Sequence, residues 1–346
     1  MKAVRLHRFD EGLKSSNLVE IDDVPEPVVQ RRDDVIVRIG GAGLCRTDLH
    51  IVKGTWNRKV NRRLPYILGH ENAGWVHDVG DAVKHVKPGD PVIVHPLITD
   101  GTCAECRRGE DMYCSNGRFS GITHDGGFAE FLPTSQRAVV KLPAELEPKD
   151  VAPYADGGLT AYRAARKAAE TMRPGMSVVI LGFGGLGHIA AQVIRNLCAA
   201  QIIIVDTSKE ALDLARECGF EICLQGGESA VENVRRRCAA GADAVIDFAG
   251  EKGTPEQCLA MLGKGGTYYV VGYGGMMRVP TLDLILDELN VVGTLVGNYT
   301  ELCELMILAA REQVKLSTTT YRLDQVNEAM HDLISGQLTG RAVLVP

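Results

Sequence analysis

Two textures of hydrophobic and polar positions divide the chain. Up to about residue 155, short alternating or apolar runs recur at 35–39, 74–79, 91–94, 128–132 and 139–142. Turn signals separate them, such as Lys87-Pro88-Gly89-Asp90 and Asp125-Gly126-Gly127. Period-two runs bounded by Gly and Pro predict strands, so this part reads as mostly β. The texture changes near Asp156. Apolar, β-branched runs at 177–181, 201–205, 221–224, 244–248 and 267–271 now alternate with helical periods at 186–198, 208–218, 230–238 and 255–262. Thr207 with Glu210 has the form of a capping box opening the second of these helices. Repeated β-α units of about 30 residues predict a parallel, doubly wound sheet. Residues 290–296 supply a sixth strand. The tail reads as helices at 301–312 and 324–335 and a strand at 341–345.

The stretch 174–194 holds no Asp, Glu, Lys or Arg, which suggests a membrane span on charge alone. It also carries five glycines, Pro174 and His188. Its order is a β-branched run, a glycine cluster and a helical period, so it reads as strand, turn and helix. A length of 346 residues fits two domains. Hydrophobic residues at 45% and charged residues at 24% argue against disorder. The net charge of −6 argues against a nucleic-acid partner. Residues 1–12 have scattered charges and no apolar core of a signal peptide. A cytoplasmic location is therefore expected. The ten cysteines then stay reduced, as buried thiols or metal ligands.

Gly182-Phe-Gly184-Gly185-Leu186-Gly187 is G-x-G-x-x-G between a predicted strand and a predicted helix. The first glycine suits the tight turn, the second lets backbone approach a pyrophosphate, and the third lets the helix pack close to the strand. The next strand ends in Asp206, nineteen positions beyond Gly187. That carboxylate can accept from a ribose diol and would repel a 2′-phosphate, which favours NAD over NADP. A structural Gly-rich turn is the alternative. Asp100-Gly-Thr-Cys103-Ala-Glu-Cys106, followed by Cys114, is the densest metal signal. The C-x2-C spacing lets two thiolates bite one zinc, Cys114 adds a third, and Asp100 has the spacing to supply a fourth. A closed set of four describes a structural site. Three buried thiols in a loop are the alternative.

Gly43-Leu-Cys45-Arg46-Thr47-Asp48-Leu-His50 and Gly69-His70-Glu71 are each ambiguous alone. Taken in order with the cysteine comb, the glycine loop and Asp206, they resemble the zinc-dependent medium-chain alcohol dehydrogenases along essentially the whole chain. The resemblance implies a chaperonin-10-like β catalytic domain over 1–155 and 296–346, and a Rossmann NAD-binding domain over 156–295. It implies two zinc ions per chain. Cys45 and His70 match two ligands of the catalytic one, and Glu71 matches a nearby carboxylate able to swing onto the metal. Asp156 stands where many members carry a second ligand Cys. Asp100, Cys103, Cys106 and Cys114 match the structural site, with Asp100 in a slot more often Cys. Both exchanges keep the formal charge while trading a soft ligand for a harder one. Thr47 and His50 match the proton relay, and Asp48 matches the carboxylate that orients the ligand His. Arg46 and Arg341 match pyrophosphate contacts, and Thr160 matches the residue against the nicotinamide.

By the same resemblance the substrate is a small alcohol or ketone. Leu97 and Phe119 fall where relatives place pocket walls, and Trp56 and Tyr154 are further candidates. An apolar Leu at 97 favours secondary or aromatic alcohols over polyols, with a polyol or diol dehydrogenase as the alternative. The strand at 290–296 resembles the edge where members pair their sheets, so a dimer or tetramer of identical chains is expected.

Overall fold

The computed structural model describes the chain apart from Lys252, Thr339 and the Arg58 side chain. It divides into two compact units. One comprises Met1–Leu159, Gly297–Glu312 and Leu316–Pro346, and the other Thr160–Val296 and Gln313–Lys315.

The first unit opens with β1 (Lys2–Leu6), β2 (Glu20–Asp23), β3 (Asp34–Leu44), β4 (Tyr66–Ile67) and β5 (Glu71–Val79). These are followed by β6 (Pro91–Val94), β7 (Leu97–Ile98), β8 (Arg118–Phe119), β9 (Phe131–Ser135) and β10 (Val139–Lys141). β3 is the spine. It pairs antiparallel with β5 and, through its first half, with β9. Its alternate residues Val35, Val37 and Ile39 enter a core shared with Leu44, Val94, Phe128 and Leu132. β7 and β8 form a separate ribbon in which Leu97 lies opposite Phe119.

The second unit carries β11 (Ser177–Leu181), β12 (Gln201–Asp206), β13 (Cys223–Gln225), β14 (Ala242–Asp247), β15 (Leu262–Val270) and β16 (Asn290–Gly293). Their order is β13-β12-β11-β14-β15-β16, and every pairing is parallel. This is the doubly wound order of a dinucleotide-binding domain. β11 is wholly buried, which is why its sequence reads as one apolar run. The tail then returns to the first sheet. β17 (Thr318–Arg322) and β18 (Arg341–Val345) pair in parallel, and β18 lies antiparallel to the end of β3.

Four local expectations shift. The strand expected at 128–132 begins at Phe131, because Gly126, Gly127 and Phe128 spend their N–H groups on Ile67, Gly69 and Leu68 in a crossing loop. The strand expected at 221–224 is Cys223–Gln225, set by pairing with Ile204–Asp206. The sixth strand stops at Gly293, and Val296 turns the chain at φ 42°. The helix Lys209–Glu217 is capped by Ser208 instead of Thr207. Ser208 Oγ accepts from the Ala211 N–H at 3.1 Å and donates to Glu210 at 2.8 Å. Among the described residues, no helix is long and apolar enough to cross a membrane.

Candidate metal and coenzyme sites

Cys45 ends β3 as the N-cap of the helix Arg46–Val52. Its backbone N–H donates to Asp48 Oδ2 at 2.9 Å, which fixes Asp48 one turn into that helix. Asp48 is fully buried, and its other oxygen lies 3.3 Å from His70 Nδ1. That contact turns His70 Nε2 away from Asp48, to 3.5 Å from Asp156 Oδ2. Cys45, His70, Glu71 and Asp156 thus each offer a ligand atom within 4.8 Å of the others. The structure brings together all four residues that the resemblance implied there.

The chemistry of this cluster fits a divalent zinc. It combines a thiol, an imidazole and carboxylates. His70 Nε2, Asp156 Oδ1 and Glu71 Oε2 are buried without a hydrogen-bond partner, an arrangement that is costly unless a cation satisfies them. Burial opposes a charge on His70, but the Asp48 carboxylate overrides it and holds the imidazole well above its usual range. Metal loading must therefore release that proton. Burial pushes the Asp156 carboxyl up to about 6, with His70 pulling the other way.

Asp156 precedes the helix Gly157–Ala169 without capping its first N–H, which is that of Gly157 and donates to Glu71 Oε1 at 3.0 Å. Glu71 Oε1 also accepts from Arg341, which is itself buried. Arg341 was implied as a pyrophosphate contact. Pairing of Ala342 with Leu44 carries it to the metal cluster, beside Cys45 and Glu71.

Asp100, Cys103, Cys106 and Cys114 form a second group with ligand atoms within 4.8 Å of one another. Cys103 Sγ accepts from the Cys106 N–H at 3.4 Å, so the C-x2-C turn is folded around its first sulfur. Asp100 Oδ1 accepts from the N–H groups of Thr102 and Cys103, and Oδ2 from the Asn116 amide at 2.8 Å. These bonds hold its carboxyl far below the usual range, ionised as a ligand must be. The loop is braced by Arg137, which reaches Thr99 and the buried Asp111. Neither brace stood out in the sequence.

In the second unit, Gly182 sits at φ 90°, and a Cβ on Gly187 would lie 1.8 Å from the Gly182 carbonyl. Both positions demand glycine. A Cβ on Gly184 would meet nothing within 4 Å, so no neighbour in the chain demands glycine there. No side chain caps the helix Gly187–Leu197 at Leu186, and the His188 and Ile189 N–H groups turn back onto the Gly184 and Leu186 carbonyls, so an anion would meet the helix through the loop ahead of them. Gly185 lies in the same turn. Asp206 ends β12, where Oδ2 accepts from the Phe183 N–H at 2.6 Å and Oδ1 from Ser208 at 2.8 Å. The Asp206 carboxylate is thus tied to the glycine loop. Thr160 belongs to this unit, and Arg46 is exposed at the start of its helix in the other.

Of the expected pocket walls, Phe119 is placed most tellingly, edge-on to His70 with ring centroids 6.1 Å apart. Leu97 faces it across the ribbon, and Tyr154 is buried two residues before Asp156. Trp56 packs against the first unit's core. Thr47 and His50 lie on the helix that begins after Cys45. Two buried groups escaped the sequence reading. His95 contacts the Gly297 carbonyl through Nε2 at 2.9 Å, pinning the returning tail. Asp247 accepts from Ala249, Gly250, Thr254 and Tyr268, shaping the loop after β14. An acid at the carboxyl end of a central parallel strand was the available signal for Asp247.

Two family models match the chain: an alcohol dehydrogenase GroES-like domain over residues 31–144 and a zinc-binding dehydrogenase domain over 185–311. An NAD-dependent alcohol dehydrogenase of Sulfolobus acidocaldarius is 37% identical, over 99% of each chain. A D-arabinose 1-dehydrogenase (NADP(+)) of Saccharolobus solfataricus is 34% identical, covering 100% of this chain and 97% of its own. The crystal structure of an alcohol dehydrogenase from Aeropyrum pernix superposes with a TM-score of 0.95 at 44% identity, over the whole of both chains. The chain belongs to the zinc-dependent medium-chain alcohol dehydrogenase family and is an oxidoreductase of that family.

Proposed function

We propose that the chain interconverts secondary or aromatic alcohols and the matching ketones or aldehydes. In this reading NAD is the coenzyme, a catalytic zinc sits on Cys45, His70 and Asp156, and a structural zinc sits on Asp100, Cys103, Cys106 and Cys114. The observation that carries it is the buried quartet in which His70 Nε2, Asp156 Oδ1 and Glu71 Oε2 lack a hydrogen-bond partner. When bound, zinc supplies a Lewis acid that makes a hydroxyl group acidic near neutral pH, and NAD supplies the hydride acceptor.

The chain's own residues do the rest. Asp48 holds the His70 tautomer, with Nε2 left to face the metal. The Thr47 hydroxyl takes the alcohol proton, and His50 passes it toward solvent. Glu71 is kept in reserve by Arg341 and the Gly157 N–H. The glycine loop cradles the pyrophosphate with help from Arg46, Asp206 holds the ribose, and Thr160 packs on the nicotinamide. The Phe119 ring beside His70 and Leu97 opposite it make an apolar wall, which suits an alkyl or aromatic substituent.

A second reading, a polyol or sugar dehydrogenase, is favoured by the D-arabinose-oxidising relative. Steady-state kcat/KM on a simple secondary alcohol and on benzyl alcohol, against sorbitol and D-arabinose, separates the two. Higher values on the sugars would overturn the apolar assignment, and no turnover on any after zinc loading would overturn both.

We also infer a homo-oligomer, a dimer or tetramer. β16 is an edge strand, and Leu282, Ile285 and Leu286 in the helix that precedes it along the chain are 60%, 69% and 65% exposed. Light scattering coupled to gel filtration reads this directly. All ten cysteines are free, including three packed at one metal cluster, which supports a reducing, cytoplasmic setting.

A further inference from the structure

The first unit holds a cavity of about 530 Å³ that the proposed reaction does not use. It lies between the extended segment before β3, the end of β9 and the outer side of the cysteine comb. Its size is within the range of small-molecule sites. Four side chains give it a character that packing does not explain. Thr134 is 4% exposed, and its hydroxyl has no hydrogen-bond partner. Both ring nitrogens of His124 are likewise buried and unpartnered. Arg118 and Arg31 carry exposed guanidinium groups for which the described residues supply no partner.

Each carboxylate on the same walls accepts at least one hydrogen bond from the chain. Asp34 Oδ2 accepts from the N–H groups of Gln30 and Arg31, at 3.0 and 2.8 Å. Asp33 Oδ2 accepts from the Ser135 hydroxyl at 3.0 Å. Asp100 is held by Thr102, Cys103 and Asn116, as described above. What the cavity has to spare is therefore mostly hydrogen-bond donors: two guanidinium forks, a hydroxyl and one imidazole N–H. The formal charges on its walls balance, Arg31, Arg118 and Arg137 against Asp33, Asp34 and Asp100. Burial first, and then Arg118 and Arg62, push His124 down to about 4, so its ring stays neutral. A neutral imidazole offers one donor and one acceptor. That pair suits a ligand that carries hydroxyls as well as charge.

We propose that this cavity binds a small hydroxylated organic anion, a phosphate monoester or a polycarboxylate, through Arg118, Arg31, Thr134 and His124. Guanidinium forks match either oxyanion in a bidentate manner. The Thr134 hydroxyl gains the partner it lacks.

The test uses the full chain loaded with zinc and saturated with NAD, so that the pyrophosphate site is filled. Glycerol 3-phosphate, inorganic phosphate and citrate are titrated separately by calorimetry and by thermal melting. At least one is expected to bind saturably, one per chain, and to raise the melting temperature. The phosphate and citrate arms identify the head group. Losing a charge-assisted contact is worth tenfold or more in affinity. Arg118→Gln and Thr134→Val should each weaken binding by that much, and Thr134→Ser should bind as the native chain does. Because Thr134 is buried, Thr134→Ser also controls for folding, while Arg118 is exposed and threatens no packing. Zinc content and alcohol oxidation should stay unchanged in Thr134→Val. Absence of saturable binding by all three anions overturns the proposal. So does binding that Arg118→Gln and Thr134→Val leave intact.

Discussion

Replacing Asp156 by Asn should act with opposite signs on the metal-free and the zinc-loaded protein. In the metal-free chain the Asp156 carboxyl is pushed up to about 6 from 3.8, by burial first, and that position already includes the attraction of His70. A raised carboxyl means that folding disfavours its ionised form. The cost is absent below about pH 3.8, grows as pH rises, and is complete above about 6. Roughly two pKa units correspond to about 3 kcal/mol. Asn keeps the shape without the charge. The metal-free Asp156→Asn protein should thus be more stable than the native chain by up to about 3 kcal/mol at pH 7.5, with the gain fading toward pH 4. Urea unfolding in the presence of a chelator at the two pH values reads this.

With zinc the sign reverses. Removing a partner behind a ligand already costs 10–100-fold in metal affinity, and removing an anionic ligand should cost more. Zinc content should fall from two to one per chain, with most turnover lost, and Asp156→Cys should restore both. Retention of both zincs and near-native turnover in Asp156→Asn would refute the ligand assignment and pass it to Glu71. A metal-free variant no more stable than the native chain would refute the electrostatic argument itself.

Asp206→Asn should narrow the preference for NAD over NADP by tenfold or more in kcat/KM. Two unit charges about 4 Å apart repel by about 4 kcal/mol at an effective dielectric near 20, less with solvent exposure; a native chain that prefers NADP would contradict this. Cys106→Ser should lose one zinc per chain and melt at lower temperature, since a structural site contributes folding energy; metal analysis with thermal melting decides. Thr47→Val should lower alcohol turnover by about 10²–10⁴ while NAD titration stays normal, and unchanged turnover would remove Thr47 from the relay. His124 is neutral when folded, at about 4 against 6.5, so stability is complete above about pH 6.5 and falls as acid protonates the unfolded chain. The loss reaches about 2 kcal/mol at pH 5. Unfolding curves at pH 7.5 and 5 should show His124→Gln losing less than the native protein.

The parallel-sheet half was legible because burial on both faces turns each strand into a continuous apolar word. The comb and the glycine loop were legible because their ligands and turns are local. β3 shows where this legibility ends. Its pattern could be followed only to Ile39, yet the strand runs to Leu44. Gly40, Gly41 and Gly43 interrupt the alternation for reasons written elsewhere in the chain. A Cβ at these positions would strike the Trp75 ring, the Lys149 backbone and the Glu71 carboxylate, respectively. The cap of the helix Lys209–Glu217 failed differently. Thr207 and Ser208 are both good caps, and the choice fell to Ser208, whose N–H is held by Asp206.

The buried quartet was beyond any local pattern, since its members come from the end of β3, the start of β5 and the approach to the helix Gly157–Ala169. Only the resemblance named them together. The structure adds a charge argument that the resemblance did not contain. Glu71 is neutralised within the protein by Arg341, delivered through the pairing of β18 with β3. Asp156 has no such cation bonded to it, only an imidazole 3.5 Å away and one oxygen left bare. A divalent ion facing a thiolate, a neutral imidazole and two carboxylates would see one more negative charge than it carries. Arg341 offsets that excess on the Glu71 side. The charge balance thus supports the proposal of Asp156 over Glu71 as the ligand, with Glu71 held by Arg341.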